Sequence, residues 1–167
     1  FELRIQSLIT IIIVLGAIDF VWLNVLLWPE TGGERLGAAF VGGFALITGI
    51  AVCYLLRYQK PVLASAILVA ATTMAVAAAL WEYGLSAIAY LFAIPAVVAS
   101  VLLGARVLLG IALTGCAYSL IVGLWRLGLP SLSADLLFPV FSIALISFLA
   151  WVSERRLYMS LAWTWSG

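Results

Sequence analysis

The chain alternates between long apolar runs and short breaks that hold nearly all of its charged residues. Each run is close to the about 20 residues that an α-helix needs to cross a hydrocarbon core of about 30 Å. Strands of a membrane barrel would instead alternate apolar and polar positions, and residues 8–16 show no such alternation. The pattern predicts six membrane-spanning helices, at residues 5–28, 36–56, 62–81, 85–103, 107–125 and 136–152.

The breaks at residues 57–61, 82–84 and 104–106 are only three to five residues long. Connections this short place consecutive helices side by side and antiparallel. We therefore expect an all-α polytopic membrane protein whose residues 1–153 form one antiparallel bundle of six transmembrane helices. Residues 154–167 carry apolar side chains at helical spacing, so we expect them to begin an interfacial or cytoplasmic helix. Both ends of the chain look cut.

Composition supports a membrane location. Lys and Arg number 8 and Asp and Glu number 7, so that 9% of the 167 residues are charged, against about a quarter in a soluble domain. The mean hydropathy is +1.27. A soluble monomer could not hide this much apolar surface from water.

The charges also predict an orientation, because short cytoplasmic loops carry an excess of Lys and Arg. With the N-terminus in the cytoplasm, six basic residues fall inside and only Arg35 and Arg126 fall outside. The acidic residues of the breaks mostly fall outside, and Trp28, Trp81 and Trp125 end helices at the outer interface, where such rings prefer to lie. The predicted topology is therefore N-in and C-in, with these basic residues on the inner side: Arg4, Arg57, Lys60, Arg106, Arg155 and Arg156.

Prolines and small residues predict how the helices bend and pack. Pro61 suits a first helical turn, Pro95 falls in the middle of the fourth span and should kink it, and Pro139 lies near the start of the sixth. Small residues let helices approach closely in lipid, either within one chain or between two copies. Such stripes occur on the third helix (Ala71, Ala75, Ala79), the fifth (Gly115, Ser119, Gly123) and, more briefly, the second (Ala39, Gly43).

Several kinds of chemistry are excluded by what the sequence lacks. The chain has no histidine, no CxxC pair, no phosphate-binding glycine loop and no H-E-x-x-H motif, and its one lysine, Lys60, lies in a break. Cys53 and Cys116 lie in predicted spans, where thiols are simplest to interpret as small packing residues. We therefore expect no catalytic, metal or cofactor site in this chain.

Asp19 is the one clear ionisable residue inside a predicted span, and Asn24 lies loosely on the same face. A charged side chain within the bilayer is costly. Three roles remain open for Asp19: a hydrogen bond within the bundle, a ligand, ion or proton site, or a contact with another subunit.

A second candidate site is an outward-facing cleft, for which ordinary solvated interface charge is the alternative. Its residues lie in two of the outer breaks: Glu82, Tyr83, Arg126 and Asp135. Hydroxyl residues near the membrane midplane are expected to bond to their own helix backbone: Thr48, Thr72, Thr73, Ser100, Thr114 and Ser119.

Three stretches resemble the six-helix membrane input region of bacterial sensor histidine kinases. Residues 90–106, with Pro95 and a Gly104-Ala105-Arg106 turn leading into a helix with Tyr118, resemble its fourth and fifth helices. Residues 55–61 are similar to its turn between the second and third helices. Residues 154–167 are similar to the segment that leaves its sixth helix as a cytoplasmic signalling helix. The resemblance implies a dimeric input module that passes a shift to a distal kinase.

The function expected is thus a signal-input module of the bacterial cytoplasmic membrane, acting through the sixth helix on a cytoplasmic output domain. The chain contains no phosphotransfer histidine box or ATP-binding lobe, so kinase activity would require output domains after Gly167. The alternatives are a non-catalytic subunit of a larger membrane complex and, after it, a small transporter or channel. Expected partners are lipid and either a second copy or other membrane subunits, with no role for nucleic acid.

Overall fold

The computed structural model describes residues 2–26, 37–84, 87–126, 128 and 134–165. Apart from short turns between the helices, these residues are helical, and none of them forms a strand. The elements are α1 (Glu2–Leu26), α2 (Ala38–Leu56), α3 (Pro61–Tyr83), a 3₁₀ segment (Ala87–Phe92), α4 (Ala93–Leu103), α5 (Ala105–Ile121), a π segment (Val122–Arg126) and α6 (Ala134–Trp165).

Four stretches of the described chain are long and apolar enough to cross a membrane: Ile5–Asn24, Ala38–Leu56, Pro61–Tyr83 and Ala105–Trp125. Two further apolar stretches, Ile88–Leu103 and Leu137–Ser153, are shorter. Many large apolar side chains on these helices are exposed, as they are on helices whose outer surface meets lipid rather than water. The expected α-helical membrane protein is therefore supported in its fold class.

Consecutive helices pack against one another along the whole described chain. Helices α2 and α3 are antiparallel. Gly42 lies against Ala75 and Ala78, whereas Gly49, about two turns later, lies against the earlier residue Ala71. A single residue, Gly104 at φ +93°, joins α4 to α5. Only glycine adopts this conformation without strain, and the reversal brings α5 directly beside α4.

The fourth span differs from its prediction at Pro95. A 3₁₀ segment precedes α4, and Pro95 is the third residue of α4 rather than the middle of a long helix. Proline is tolerated in the first turn of an α-helix. The expected mid-helix position of Pro95 is therefore wrong, whereas the kink itself stays a prediction. The short α4 contacts α1, α3, α5 and α6, which places it at the centre of the bundle.

Pro139 is the sixth residue of α6, slightly further into the helix than expected, and its side chain is fully buried. Helix α5 ends in the π segment, whose Trp125 side chain is 88% exposed. Trp81 is also exposed, as expected of an interfacial ring, and Trp28 lies outside the described residues.

Two buried clusters form the core. The first brings residues of α1, α2, α3 and α4 together around Leu8, Leu68 and Leu102. The second joins α3, the 3₁₀ segment, α5 and α6 around Leu80, Phe92 and Ile143. The 3₁₀ segment and α4 therefore connect the α1–α3 half of the bundle with the α5–α6 half.

Candidate functional site

Asp19 lies on α1 and is almost fully buried, with 2% of its surface exposed. Its Oδ2 atom is out of contact with solvent and has no hydrogen-bond partner among the described residues. A buried polar atom without a partner costs about 1–3 kcal/mol. No described residue forms a hydrogen bond with Oδ2. The first of the three roles left open by the sequence, a hydrogen bond within the bundle, is therefore not fulfilled at this atom.

Asp19 belongs to the wall of a cavity of about 110 Å³. Helix α1 contributes Leu15, Ile18 and Trp22 beside it, and the remaining wall comes from α2, α3, the 3₁₀ segment and α4. Nearly all of these side chains are apolar. The cavity thus combines an apolar lining with one carboxylate whose Oδ2 atom lacks a hydrogen-bond partner among the described residues.

Gly43 of α2 makes this arrangement possible. A Cβ atom at position 43 would lie 3.4 Å from Asp19 Oδ1 and 2.7 Å from Cδ2 of Leu23. The second contact is closer than real Cβ atoms tolerate, so a larger residue would displace the end of the Leu23 side chain and occupy space beside Asp19. The sequence placed Gly43 on a small-residue stripe but gave no sign that it faces Asp19.

Thr72 of α3 contributes a hydroxyl group to the same wall. Its Oγ1 lies 3.0 Å from the Leu68 carbonyl oxygen and 2.9 Å from that of Val69. The hydroxyl proton is therefore used within the helix, and the oxygen keeps lone pairs for an external donor.

The expectation that midplane hydroxyls bond to their own helix is confirmed for the threonines: Thr48, Thr72, Thr73 and Thr114. It is wrong for Ser119, which is fully buried and whose Oγ has no partner within the described chain. Ser147 on α6 has the same property, and nothing in the sequence distinguished it.

A groove of about 410 Å³ adjoins the cavity between α1 and α4. Leu15, Ile18 and Ile94 line both spaces. Val14 and Ile18 are about half exposed on the surface of α1, at 52% and 49%. The groove therefore gives the cavity an apolar route to the outside of the bundle.

Asn24 does not join Asp19. Its side chain is exposed, and its Nδ2 donates to the Phe20 carbonyl oxygen of the same helix at 2.7 Å.

The four residues of the predicted outer cleft are only partly described. Glu82 accepts a hydrogen bond from the backbone N–H of Ala38, with 3.1 Å between the atoms, and so binds the start of α2 to the end of α3. The ring of Tyr83 packs edge to face on that of Trp22, at 5.9 Å between centroids. The side chains of Arg126 and Asp135 lie outside the described residues. Within the described chain, Glu82 and Tyr83 thus make contacts between helices.

The small-residue stripes are used within the chain. Ala71 and Ala75 of α3 lie against glycines of α2, and Ala79 is buried. On α5, Gly115 leaves room for the ring of Phe92, which a Cβ would approach to 3.0 Å. Ser119 and Gly123 of the same stripe are buried. Sequence reasoning missed that Gly42 and Gly49 form the α3-facing side of α2.

Cys53 is buried in the first core cluster, and the Cys116 sulfur lies 3.7 Å from the Val140 carbonyl oxygen of α6. Both thiols are free. The part of the chain that the structure describes holds no group of three or more acidic or cysteine side chains that could bind a metal ion.

No protein-family model, curated protein or solved structure matches this chain.

Proposed function

We propose that this chain is a membrane-embedded signal-input module that passes a change in helix packing to an output domain through α6. In this proposal the bundle crosses the bacterial cytoplasmic membrane six times, with both ends in the cytoplasm. The observation that carries it is the length of α6.

Helix α6 is continuous over 32 residues, from Ala134 to Trp165. At about 1.5 Å per residue it is about 48 Å long, whereas a hydrocarbon core is about 30 Å thick. A helix of this length is longer than the hydrocarbon core by about 18 Å. An unbroken helix transmits a rotation or translation at one end to the other, which is what a connection between input and output requires.

The packing of the 3₁₀ segment supports a route from the Asp19 cavity to α6. Leu91 lines the cavity, and its neighbour Phe92 is buried in the same core cluster as Ile143 of α6. Filling or emptying the cavity would displace Leu91, and Phe92 would carry that displacement to α6. Two packings of similar free energy, differentially stabilised by the input, would then act as the two signalling states.

The turn between α2 and α3 supports the proposed orientation. The Arg57 guanidinium lies 3.4 Å from the ring centroid of Tyr54 and 4.7 Å from that of Tyr58. Tyrosine rings prefer the membrane interface, and Lys60 follows in the same turn. This cluster suits a cytoplasmic interface, where basic residues accumulate. Reporter tags at both termini test it: both should be cytoplasmic, and tags on opposite sides would contradict six crossings.

The role of α6 is tested by changing its helical phase. The chain is fused after Gly167 to a histidine-kinase output domain, and one to four alanines are inserted after Ser153. Each alanine rotates the downstream helix by about 100°. We expect autophosphorylation to vary with the insertion and to return toward its starting level near a full turn. Output that ignores the phase, or is unchanged when α1–α5 are absent, would overturn the proposal.

A further inference from the structure

We propose that the Asp19 cavity binds a small hydrophobic amine, whose ammonium group pairs with the Asp19 carboxylate and whose apolar body occupies the cavity and the adjoining groove. The inference that this binding is the input to α6 rests on the proposed function, whereas the binding itself does not depend on it.

The polar groups of the wall select the head of the ligand. An ionised carboxylate only accepts hydrogen bonds, and the Thr72 hydroxyl has already donated its proton to its own helix. An ammonium group only donates hydrogen bonds, so it complements the Asp19 carboxylate and the Thr72 hydroxyl oxygen. The Trp22 ring in the same wall adds an aromatic surface, which attracts cations.

The burial of Asp19 explains why a charged donor is favoured over water. Oδ2 is buried and has no partner within the described chain, and a charge-assisted hydrogen bond from a cation is about twice as strong as a neutral one. A water bound to the Asp19 carboxylate and the Thr72 oxygen would make two hydrogen bonds as an uncharged donor, the lower end of the two to four that buried waters make. A bare Ca²⁺ would need about six to eight oxygen ligands, far more than one carboxylate and one hydroxyl provide.

The two spaces set the size and shape of the ligand. The cavity of about 110 Å³ is smaller than the roughly 150 Å³ apolar cavity known to admit benzene, so it holds a head group and a few carbons. A longer tail would pass Ile18 and Ile94 into the groove between α1 and α4. An unbranched alkyl amine has this shape, and it reaches the groove directly from lipid.

The chain offers a direct measurement, because it contains only two aspartates, Asp19 and Asp135. Protein labelled with ¹³C at the aspartate side-chain carboxyl, in nanodiscs of zwitterionic lipid, gives one signal for each. We expect n-hexylamine to shift the Asp19 signal in a saturable way and to leave the Asp135 signal in place, with n-hexanol at least tenfold weaker. Equal shifts from amine and alcohol, equal shifts of both signals, or no shift would overturn the proposal.

Variants provide a second readout, in which saturation transfer from protein to n-hexylamine measures the affinity. Asp19→Asn keeps the size of the side chain and should weaken binding at least tenfold, whereas Asp135→Asn, the same chemical change, should not. Gly43→Ala narrows the space beside Asp19 and should weaken binding, while Gly16→Ala, where a Cβ meets nothing within 4 Å, should not. Retention of full affinity in Asp19→Asn would contradict the pairing even if both proteins fold equally well.

The two proposals fail separately. Loss of amine binding leaves the phase test of α6 unaffected, and it would overturn the inference about Asp19 alone. A kinase fusion that responds to helix phase, and whose output changes with n-hexylamine in the parent chain but not in Asp19→Asn, supports both.

Discussion

Helix α2 has two glycine-bearing faces that differ in what they contact. On one face, Gly42 and Gly49 lie directly against the alanines of α3, with no space between the helices. On the other, Gly43 approaches Asp19 of α1, beside a cavity and a carboxylate oxygen that has no partner in the described part of the chain. One helix therefore joins a tightly packed interface to an incompletely packed one.

The difference separates two uses of glycine in a membrane helix. Against α3, glycine maximises van der Waals contact, which drives helix association where lipid removes most of the hydrophobic contribution. Against α1, glycine makes room for a polar group whose burial lowers stability. A destabilising buried polar group of this kind is typical of functional sites, where stability and activity conflict.

Filling the tight face should have the largest effect. Gly49→Val would place a branched side chain where even a Cβ overlaps Ala71, and we expect a loss of about 3 kcal/mol in the free energy of unfolding. Unfolding in mixed detergent–SDS micelles measures it. Gly110→Val is the control, because a Cβ at position 110 meets nothing within 4 Å; equal stability of the two variants would show that α2 and α3 are not in contact there.

The same contact can be inverted. Gly49→Ala combined with Ala71→Gly moves one methyl group from α3 to α2, so the double variant should recover most of the stability that Gly49→Ala alone loses. A coupling energy near zero between the two changes would contradict direct packing of these residues.

Removing the unpartnered carboxylate should act in the opposite direction. Asp19→Leu replaces a buried polar side chain by an apolar one of similar size, and we expect a gain of about 2 kcal/mol in the free energy of unfolding. The same micelle titration measures the change. A loss of stability would mean that Asp19 has a stabilising partner in the folded protein. The α1–α2 interface would then not be weaker than the α2–α3 interface.

A smaller effect is expected at the end of the α2–α3 interface. Glu82→Ala removes the acceptor for the Ala38 N–H, and loss of a helix-capping acceptor costs about 1 kcal/mol. Glu82→Gln retains an acceptor oxygen and should lose less. If the two variants unfold at the same detergent fraction, Glu82 does not cap α2 in the membrane.

The smallest effect on stability is expected at Gly43. Gly43→Ala gains helix propensity of about 1 kcal/mol but must displace the flexible end of Leu23, so the net change should lie within about 0.5 kcal/mol. Gly16→Ala has the same gain without the contact, and it should be the more stable variant by thermal unfolding. Identical melting temperatures would indicate that α1 is further from α2 than described.

The sequence determined the α-helical class and the positions of the long apolar helices, because a lipid-soluble helix needs a long uninterrupted apolar run, and such runs are visible without a fold. It also identified Asp19, since one acidic residue in an apolar run is conspicuous, and it located the alanines of α3 from their spacing of four. It misjudged the position of Pro95 within its helix, because periodicity does not distinguish one long helix from a 3₁₀ segment followed by a short α-helix.

Only the tertiary structure decided what the helices contact. Gly42 and Gly43 are adjacent in sequence and chemically identical, yet the turn of the helix directs one toward α3 and the other toward Asp19. The cavity has walls from several helices separated along the chain by up to about 79 residues, from Leu15 to Ile94. No local pattern encodes such a space, because it arises from how far the packed helices can approach one another.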